Sequence, residues 1–478
     1  MAPSPTATSV PTDKVVPIGQ FNVALLKRIA ILYTMFVVDD VLDASMLARS
    51  LSKLIDRVGW RKLGARLRRN PRTGALEHHI PAQFSDQRPP IRFHHVIHNM
   101  AKADHPLACK LPSPSAQPAV MEDPELFKDL WLHKDTPTKA SQYLNREEPQ
   151  LALFVVSFTD ATVISVTWPH SLFDAVGLGE VLHQWCAVLH GHADTIPAPV
   201  DIDNYPLADL GCHPSEPYEL ADSQLSLIAL CIYTLRNILE MIFHRPQGRM
   251  LYIPGPFIQK LRKRAILELS RETTDNKTDQ FISEGDVLSA WWAQVMASHV
   301  RGSNKLINVT NVLGWRTSLE DIISGRPFIS NCAGFISMLI PASKFFDMSL
   351  GAIAWQTRQC ILRGRRREQI DAYVGIWRKV PGMAPPLFGN ATMHLAACSN
   401  WQQARLCELD FSPAIAHGRN GNAPAFPSYV QSCVRGLGFS NILIVVGRDT
   451  TGGYWVNGLT GQRHWAAIEE AVGKLKEM

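Results

Sequence analysis

Residues 166–182 read VTWPHSLFDAVGLGEVL, with His170 four positions before Asp174. Histidine is the side chain whose ordinary pKa lets it accept and return a proton near neutrality, so an imidazole held in a bend between regular elements is a candidate general base. The spacing alone is weak, because 17 histidines and roughly 5% aspartate give about one such match by chance. The chain holds a second match, His190-Gly-His-Ala-Asp194. It lies at the far end of the same expected helix, where a histidine is favoured by the helix dipole, and is read as a helix C-terminus.

What separates the two is the elements around them. Ile164, Val166 and Trp168 alternate with Ser165 and Thr167, the pattern of a strand with one apolar face, which Pro169 ends. From Leu178 the apolar positions 178, 181, 182, 185 and 189 follow helical spacing. His170 therefore falls in a strand-to-helix turn, a place where a scaffold fixes exposed side chains. The competing reading is a histidine satisfied by its own turn.

A chain of 478 residues exceeds what one core supports, so two domains are expected. With 46% apolar and 19% charged residues it is globular in composition. Nine scattered cysteines form no CxxC pair or His/Cys cluster at zinc spacing, so neither a disulfide framework nor a metal is expected, and a reducing, cytoplasmic setting fits. A net charge of +5 suits an anionic small ligand and lacks the clustered charge of a nucleic-acid binder. Residues 1–14 read as a flexible polar arm. The five prolines of 196–218 mark a linker, and 225–243, broken by Arg236, Asn237 and Glu240, reads as a buried helix rather than a membrane span. The expected division is a domain over 15–195, a crossover over 196–250 and a second domain over 251–478. Each combines helices (45–58, 257–272, 285–300) with strands (152–168 as a hairpin around Thr159-Asp160-Ala161, 306–315, 441–447), a mixed α/β fold with a ligand cleft between the halves.

HSLFDAVG resembles the HxxxDG signature of the BAHD family of acyl-CoA-dependent acyltransferases. WRKLGARLRRNPRTGALE (60–77), FISEGDVLSAWWAQ (281–294), NVLGWRTSL with SNCAGF (311–319, 330–335) and SNWQQARLCELDF (399–411) resemble, in order, further segments of that family. The chain departs from it in two places. Ala175 stands where Gly is usual, and the DFGWG signature is reduced to Asp410-Phe411-Ser412-Pro413-Ala414, as in fungal members similar to the trichothecene acetyltransferases.

The resemblance implies a two-domain fold of the chloramphenicol-acetyltransferase type with a channel at the domain interface, and direct acyl transfer from a CoA thioester, acetyl-CoA foremost, to an alcohol. His170 is then the general base. Asp174 could orient the imidazole as in a serine-hydrolase dyad, but the resemblance implies that it turns away to pair with Arg316 and acts as a positioning residue. Ser399 hydroxyl and Trp401 indole N–H are implied to face the oxyanion, Asn331 to tie backbone, and Asp410 to be structural. For the CoA phosphates the basic candidates are Lys260, Arg262, Lys263 and Arg264, or the run 363–367, either of which could equally be a solvated helix face.

No GxxxxGK[ST] loop, no GxGxxG after a strand and no GxSxG elbow is present, which sets aside phosphoryl transfer, nicotinamide chemistry and the serine-hydrolase fold. The expected partners are an acyl-CoA and a small-molecule acceptor, with no nucleic acid, no membrane span and a monomeric chain. An N-acyltransferase or condensation-type enzyme of the same fold, and a non-catalytic relative that binds a metabolite or a protein, are the alternatives.

Overall fold

The structure, a computed structural model, describes residues 10–200, 203, 205–272, 280–416, 423–435 and 441–477. Three sheets form the frame. A five-stranded sheet runs Tyr429–Arg435, Ile31–Val38, Thr162–Pro169, Ala152–Ser157, Arg92–Ile97. A seven-stranded sheet runs Ala333–Pro341, Leu306–Gly314, His394–Asn400, Ile442–Arg448, Tyr454–Gly461, Pro246–Ile253, Ala119–Val120, and a small sheet joins Lys14–Pro17, Leu76–Ile80 and Arg66–Arg69.

Local sequence accounts for the site-bearing parts. The expected hairpin forms, with Ala152–Ser157 and Thr162–Pro169 antiparallel. Thr162–Pro169 is buried at every position, polar Ser165 and Thr167 included, instead of on one face only. It is the central strand of its sheet and has a large apolar core around it, so neither face reaches water. Helix Ala175–Leu189 follows with Asp174 as its N-cap and His190 as its C-cap. Helices Ala44–Ile55, Gly255–Glu272 and Glu284–Ala297 lie where the periodicity places them.

Two large apolar cores fill the molecule, one around Phe36, Trp168 and Trp185, the other around Trp292, Trp315 and Trp377. The halves also trade strands. Tyr429–Arg435 crosses to pair with Ile31–Val38, and Ala119–Val120 pairs with Pro246–Ile253. Each exchanged strand hydrogen-bonds into the sheet of the other half, which ties the two.

Two sequence expectations need correction. The helix expected to be buried over 225–243 forms as Leu227–Phe243, but none of its residues is buried. Its inward face carries Tyr233, Asn237 and Glu240, whereas Leu227, Ile228, Leu235 and Ile242 point into solvent, and Leu239 and Phe243, though exposed, border the cavity beneath the helix. The apolar run reports how much apolar surface the segment has, not which way it faces. The polar arm over 1–14 is docked at its described end: the side chain of Asp13 accepts two bonds from Arg88 at 2.6 and 2.7 Å, and Lys14 opens a strand opposite Ile80. Residues 1–9 lie outside the described residues.

Candidate active site

The bend after Pro169 is held from both halves. His170 N–H donates to the carbonyl of Ala30 at 2.9 Å, and its own carbonyl accepts from Asn331 Nδ2 at 2.8 Å. Asn331 is in turn fixed through its N–H to Asn22 Oδ1 at 3.1 Å, and it is fully buried. His170 Nδ1 lies 3.3 Å from the carbonyl of Phe173. A carbonyl only accepts, so this contact places the proton on Nδ1 and leaves the lone pair on Nε2.

Asp174 does not bond to the imidazole. Its Oδ1 accepts from Gly177 N–H at 2.9 Å and from Arg316 Nη2 at 2.8 Å. Its Oδ2 accepts from Arg316 Nη1 at 3.0 Å and from Cys332 N–H at 2.8 Å. Burial alone would raise this carboxyl, but the guanidinium and the four bonds outweigh it and hold its pKa below the ordinary value. Arg316 further donates to the carbonyls of Phe328 and Ser330 at 3.0 and 2.8 Å. One fork thus clamps the turn of the first half to the strand and loop of the second.

Between these elements lies a cavity of ≈ 160 Å³. His170, Asp174 and Val176 contribute from one side, and Val312, Arg316, Asn331, Ser399, Trp401 and Ile444 from the other. Ser399 and Trp401 end strand His394–Asn400 and open the turn after it. The indole N–H of Trp401 donates to Ser399 Oγ at 3.0 Å. The indole N–H thus meets the serine oxygen, where the sequence reading expected both groups to face one centre. The turn reaches this depth because Gly179 lets helix Ala175–Leu189 approach it; a Cβ there would sit 2.6 Å from the carbonyl of Ala404.

One lining residue escaped the sequence reading. Lys27 lies in the turn before strand Ile31–Val38, and its Nζ is buried with no hydrogen-bond partner among the described residues. Burial pushes its pKa down to about 8, against the pull of Asp174. Burial, and next the Lys27 charge, push His170 down to about 4. The imidazole is therefore neutral at physiological pH. A lone lysine in the apolar stretch NVALLKRIA carries no spacing signal that could have marked it.

The remaining candidates lie elsewhere. Asp410 accepts from the N–H groups of Ser412 and Ala425, both at 2.9 Å, and sits 3.3 Å from His190 Nε2, so it ties a turn. On helix Gly255–Glu272, Lys260 lies over Phe257, Arg262 donates to the carbonyl of Ile282 at 2.7 Å, Lys263 is exposed and Arg264 pairs with Glu268. None of the four lines the cavity. In the run 363–367, Arg363, Arg366 and Arg367 pair with Glu219, Glu216 and Asp371. Arg365 has no ion pair among the described residues, and its Nε is buried without a partner. It lines, with Arg358, a second cavity of ≈ 230 Å³ whose wall shares Val312, Gly314, Asn400 and Gln403 with the first. Away from both, His94, His133 and Asp135 bring possible metal-ligating atoms within 4.8 Å, but the two rings stack 3.7 Å apart, so their in-plane lone pairs run side by side instead of converging.

No family model matches the sequence. Two relatives align over nearly their whole length. One, named transcriptional regulator calD, from Penicillium decumbens, is 35% identical over 97% of this chain and 96% of its own. The other, acetyltransferase adrJ from Penicillium rubens, is 33% identical over 98% of each. Among solved structures, F. graminearum TRI101 complexed with coenzyme A and deoxynivalenol superposes with a TM-score of 0.68 over 96% of this chain and 97% of its own, at 12% identity, which shows a shared fold. Identity at this level along the full chain shows the family: the chain belongs to the BAHD-type acyl-CoA-dependent acyltransferases, in their fungal branch.

Proposed function

We propose that the chain is a CoA-dependent O-acyltransferase of fungal secondary metabolism, with acetyl-CoA as donor and a hydroxyl of a small apolar metabolite as acceptor. One observation carries the reading: His170, with its Nδ1 proton held by the carbonyl of Phe173, presents a neutral Nε2 to a cavity walled by both halves. Nε2 takes the acceptor's hydroxyl proton as oxygen attacks the thioester carbonyl. The C–S bond then breaks, and the imidazolium returns the proton to the CoA thiolate, so transfer is direct and no acyl-enzyme forms.

Ser399 hydroxyl, its oxygen held by Trp401, donates to the oxyanion of the tetrahedral intermediate. Asp174 and Arg316 position the bend and take no part in proton transfer. Arg365 and Arg358 are the candidates for the CoA phosphates, in place of Lys260, Arg262 and Lys263, because their cavity adjoins that of His170 and Arg365, unlike Arg358 with its partner Asp286, has no ion pair among the described residues. Leu32, Val312, Phe335 and Ile444 make the acceptor side apolar. One chain supplies both walls, so a monomer suffices, acting in the cytoplasm.

The relative named a transcriptional regulator favours a second reading, a non-catalytic protein that binds a metabolite or partner. Isotope-labelled acetyl-CoA incubated with the protein and small-molecule extracts, followed by mass spectrometry, decides between them. Labelled ester products support the enzyme; absence of any labelled product together with retained CoA binding supports the second reading.

A further inference from the structure

The outer face of helix Leu227–Phe243 is inverted with respect to an ordinary surface helix. Leu227, Ile228, Ile242 and Phe243 are 69, 75, 65 and 75% exposed. At 100° per residue, the exposed Leu, Ile, Cys and Phe side chains from Leu227 to Phe243 form one unbroken arc of about 160°. Its borders are Thr234 and Arg236. The opposite face, with Tyr233, Asn237, Glu240 and His244, is turned toward the protein. A soluble surface helix buries its apolar stripe and wets its polar one; this one exposes its wider apolar arc and turns Tyr233, Asn237 and Glu240 inward beside the half-buried Leu230 and Met241.

Beneath it lies a cavity of ≈ 380 Å³. Arg236, Lys305 and Arg463 line it, and Glu240, paired to Arg463 at 2.6 Å, is the one carboxylate on its wall among the described residues. Three imidazoles crowd its floor, His299 standing 4.8 Å from both His394 and His464. His394 is 8% exposed, and its Nε2 has no hydrogen-bond partner among the described residues. A buried imidazole edge without a partner, within a wall that carries more cations than carboxylates, is a site built for an anion.

We propose that this face docks on a membrane surface, the helix arc entering the acyl region and the cavity beneath it receiving the headgroup of an anionic phospholipid. Two features favour lipid over a partner protein. The arc holds aliphatic side chains and one Phe, without the Tyr, Trp or Arg anchors that protein interface cores concentrate. The basic cavity adjoins its border, which is the order of charge and hydrocarbon found in a phospholipid leaflet. No helix of the described residues is long and apolar enough to cross a membrane, so the chain would lie on the surface.

Flotation of the purified full chain with vesicles of phosphatidylcholine, alone or mixed with phosphatidylserine, tests this. The protein is expected to float with the mixed vesicles and far less with phosphatidylcholine alone. Leu235→Glu/Ile242→Glu is expected to lower the partition coefficient by about a hundredfold, each side chain moved into hydrocarbon being worth roughly tenfold. Lys305→Glu is expected to remove the preference for phosphatidylserine while leaving weak binding. If the double variant fails to fold, Phe243→Trp replaces it, and brominated acyl chains should quench the emission of the introduced indole. Protein that stays in the aqueous fraction with both vesicles, or indole emission from the Phe243→Trp variant that bromine leaves unquenched, overturns the proposal. So does equal binding to both vesicles, and so does a dimer in solution that the double variant turns into a monomer, which would assign the arc to a second copy.

Discussion

Asp174→Asn separates a positioning role for this carboxylate from a catalytic one. Asparagine keeps an oxygen where Oδ1 accepts Gly177 N–H and Arg316 Nη2. It places an NH₂ where Oδ2 accepts Arg316 Nη1 and Cys332 N–H. Two donors then face a donor, and a buried guanidinium loses its counter-charge. Removing one partner of a buried ion pair costs about 3–5 kcal/mol. With an unfolding entropy of about 2.1 cal/mol/K per residue, the 478 residues give roughly 1 kcal/mol/K, so Tm should fall by about 3–5 °C. Arg316→Met alone strands the carboxylate and should cost a similar amount. The double variant removes both charges and should recover at least about 2 kcal/mol of the summed loss. Urea and thermal unfolding of the four proteins supply the cycle. Rates should follow the fold: at temperatures where Asp174→Asn is native, turnover should fall only modestly. Unchanged stability with a rate loss near 10⁴ would refute the reasoning and give Asp174 the orienting role of a dyad.

Three further outcomes follow from the site. Ser399→Ala should lower kcat by about 10²–10³ with little change in KM, as expected for a donor used in the transition state; a raised KM with kcat unchanged would make it a binding residue. Lys27→Met removes the cation beside His170, so the His170 pKa should rise and the acid limb of kcat/KM should move to higher pH; an unmoved limb would place Lys27 outside the field of the base. Burial holds His170 at about 4 and His394 at about 3. Their unfolded counterparts take a proton near 6.5, so between these values the unfolded chain binds more protons and stability falls as pH falls. Unfolding free energies from urea titrations at about pH 7.5 and 5 should differ by on the order of 2 kcal/mol per ring; equal values would mean the rings are not buried neutral.

Period and punctuation in the sequence reached the bend around His170, because a strand ended by proline and a helix capped by aspartate are both local signals. The same locality identified His190 as a helix end, where its Nε2 meets Asp410. The ion pair of Asp174 with Arg316 came from resemblance alone, since its members are 142 positions apart and no local rule joins them. Hydropathy misjudged helix Leu227–Phe243 because it measures apolar content and not orientation. Charge runs cannot rank the cationic candidates for a related reason: Arg365 differs from Arg363, Arg366 and Arg367 in having no ion pair among the described residues, which is a property of the fold. Lys27 was illegible because its significance lies in burial, and a single lysine looks the same buried or exposed.

The central claim is that His170 Nε2 accepts the acceptor's proton. Thiol release from acetyl-CoA, followed with one acceptor for the parent and for His170→Ala, tests it most directly, with CoA affinity measured on both. The account predicts a fall in kcat of about 10²–10⁴, roughly 3–5 kcal/mol in the barrier, with CoA affinity unchanged. A His170→Ala protein that turns over at the parent rate would contradict it.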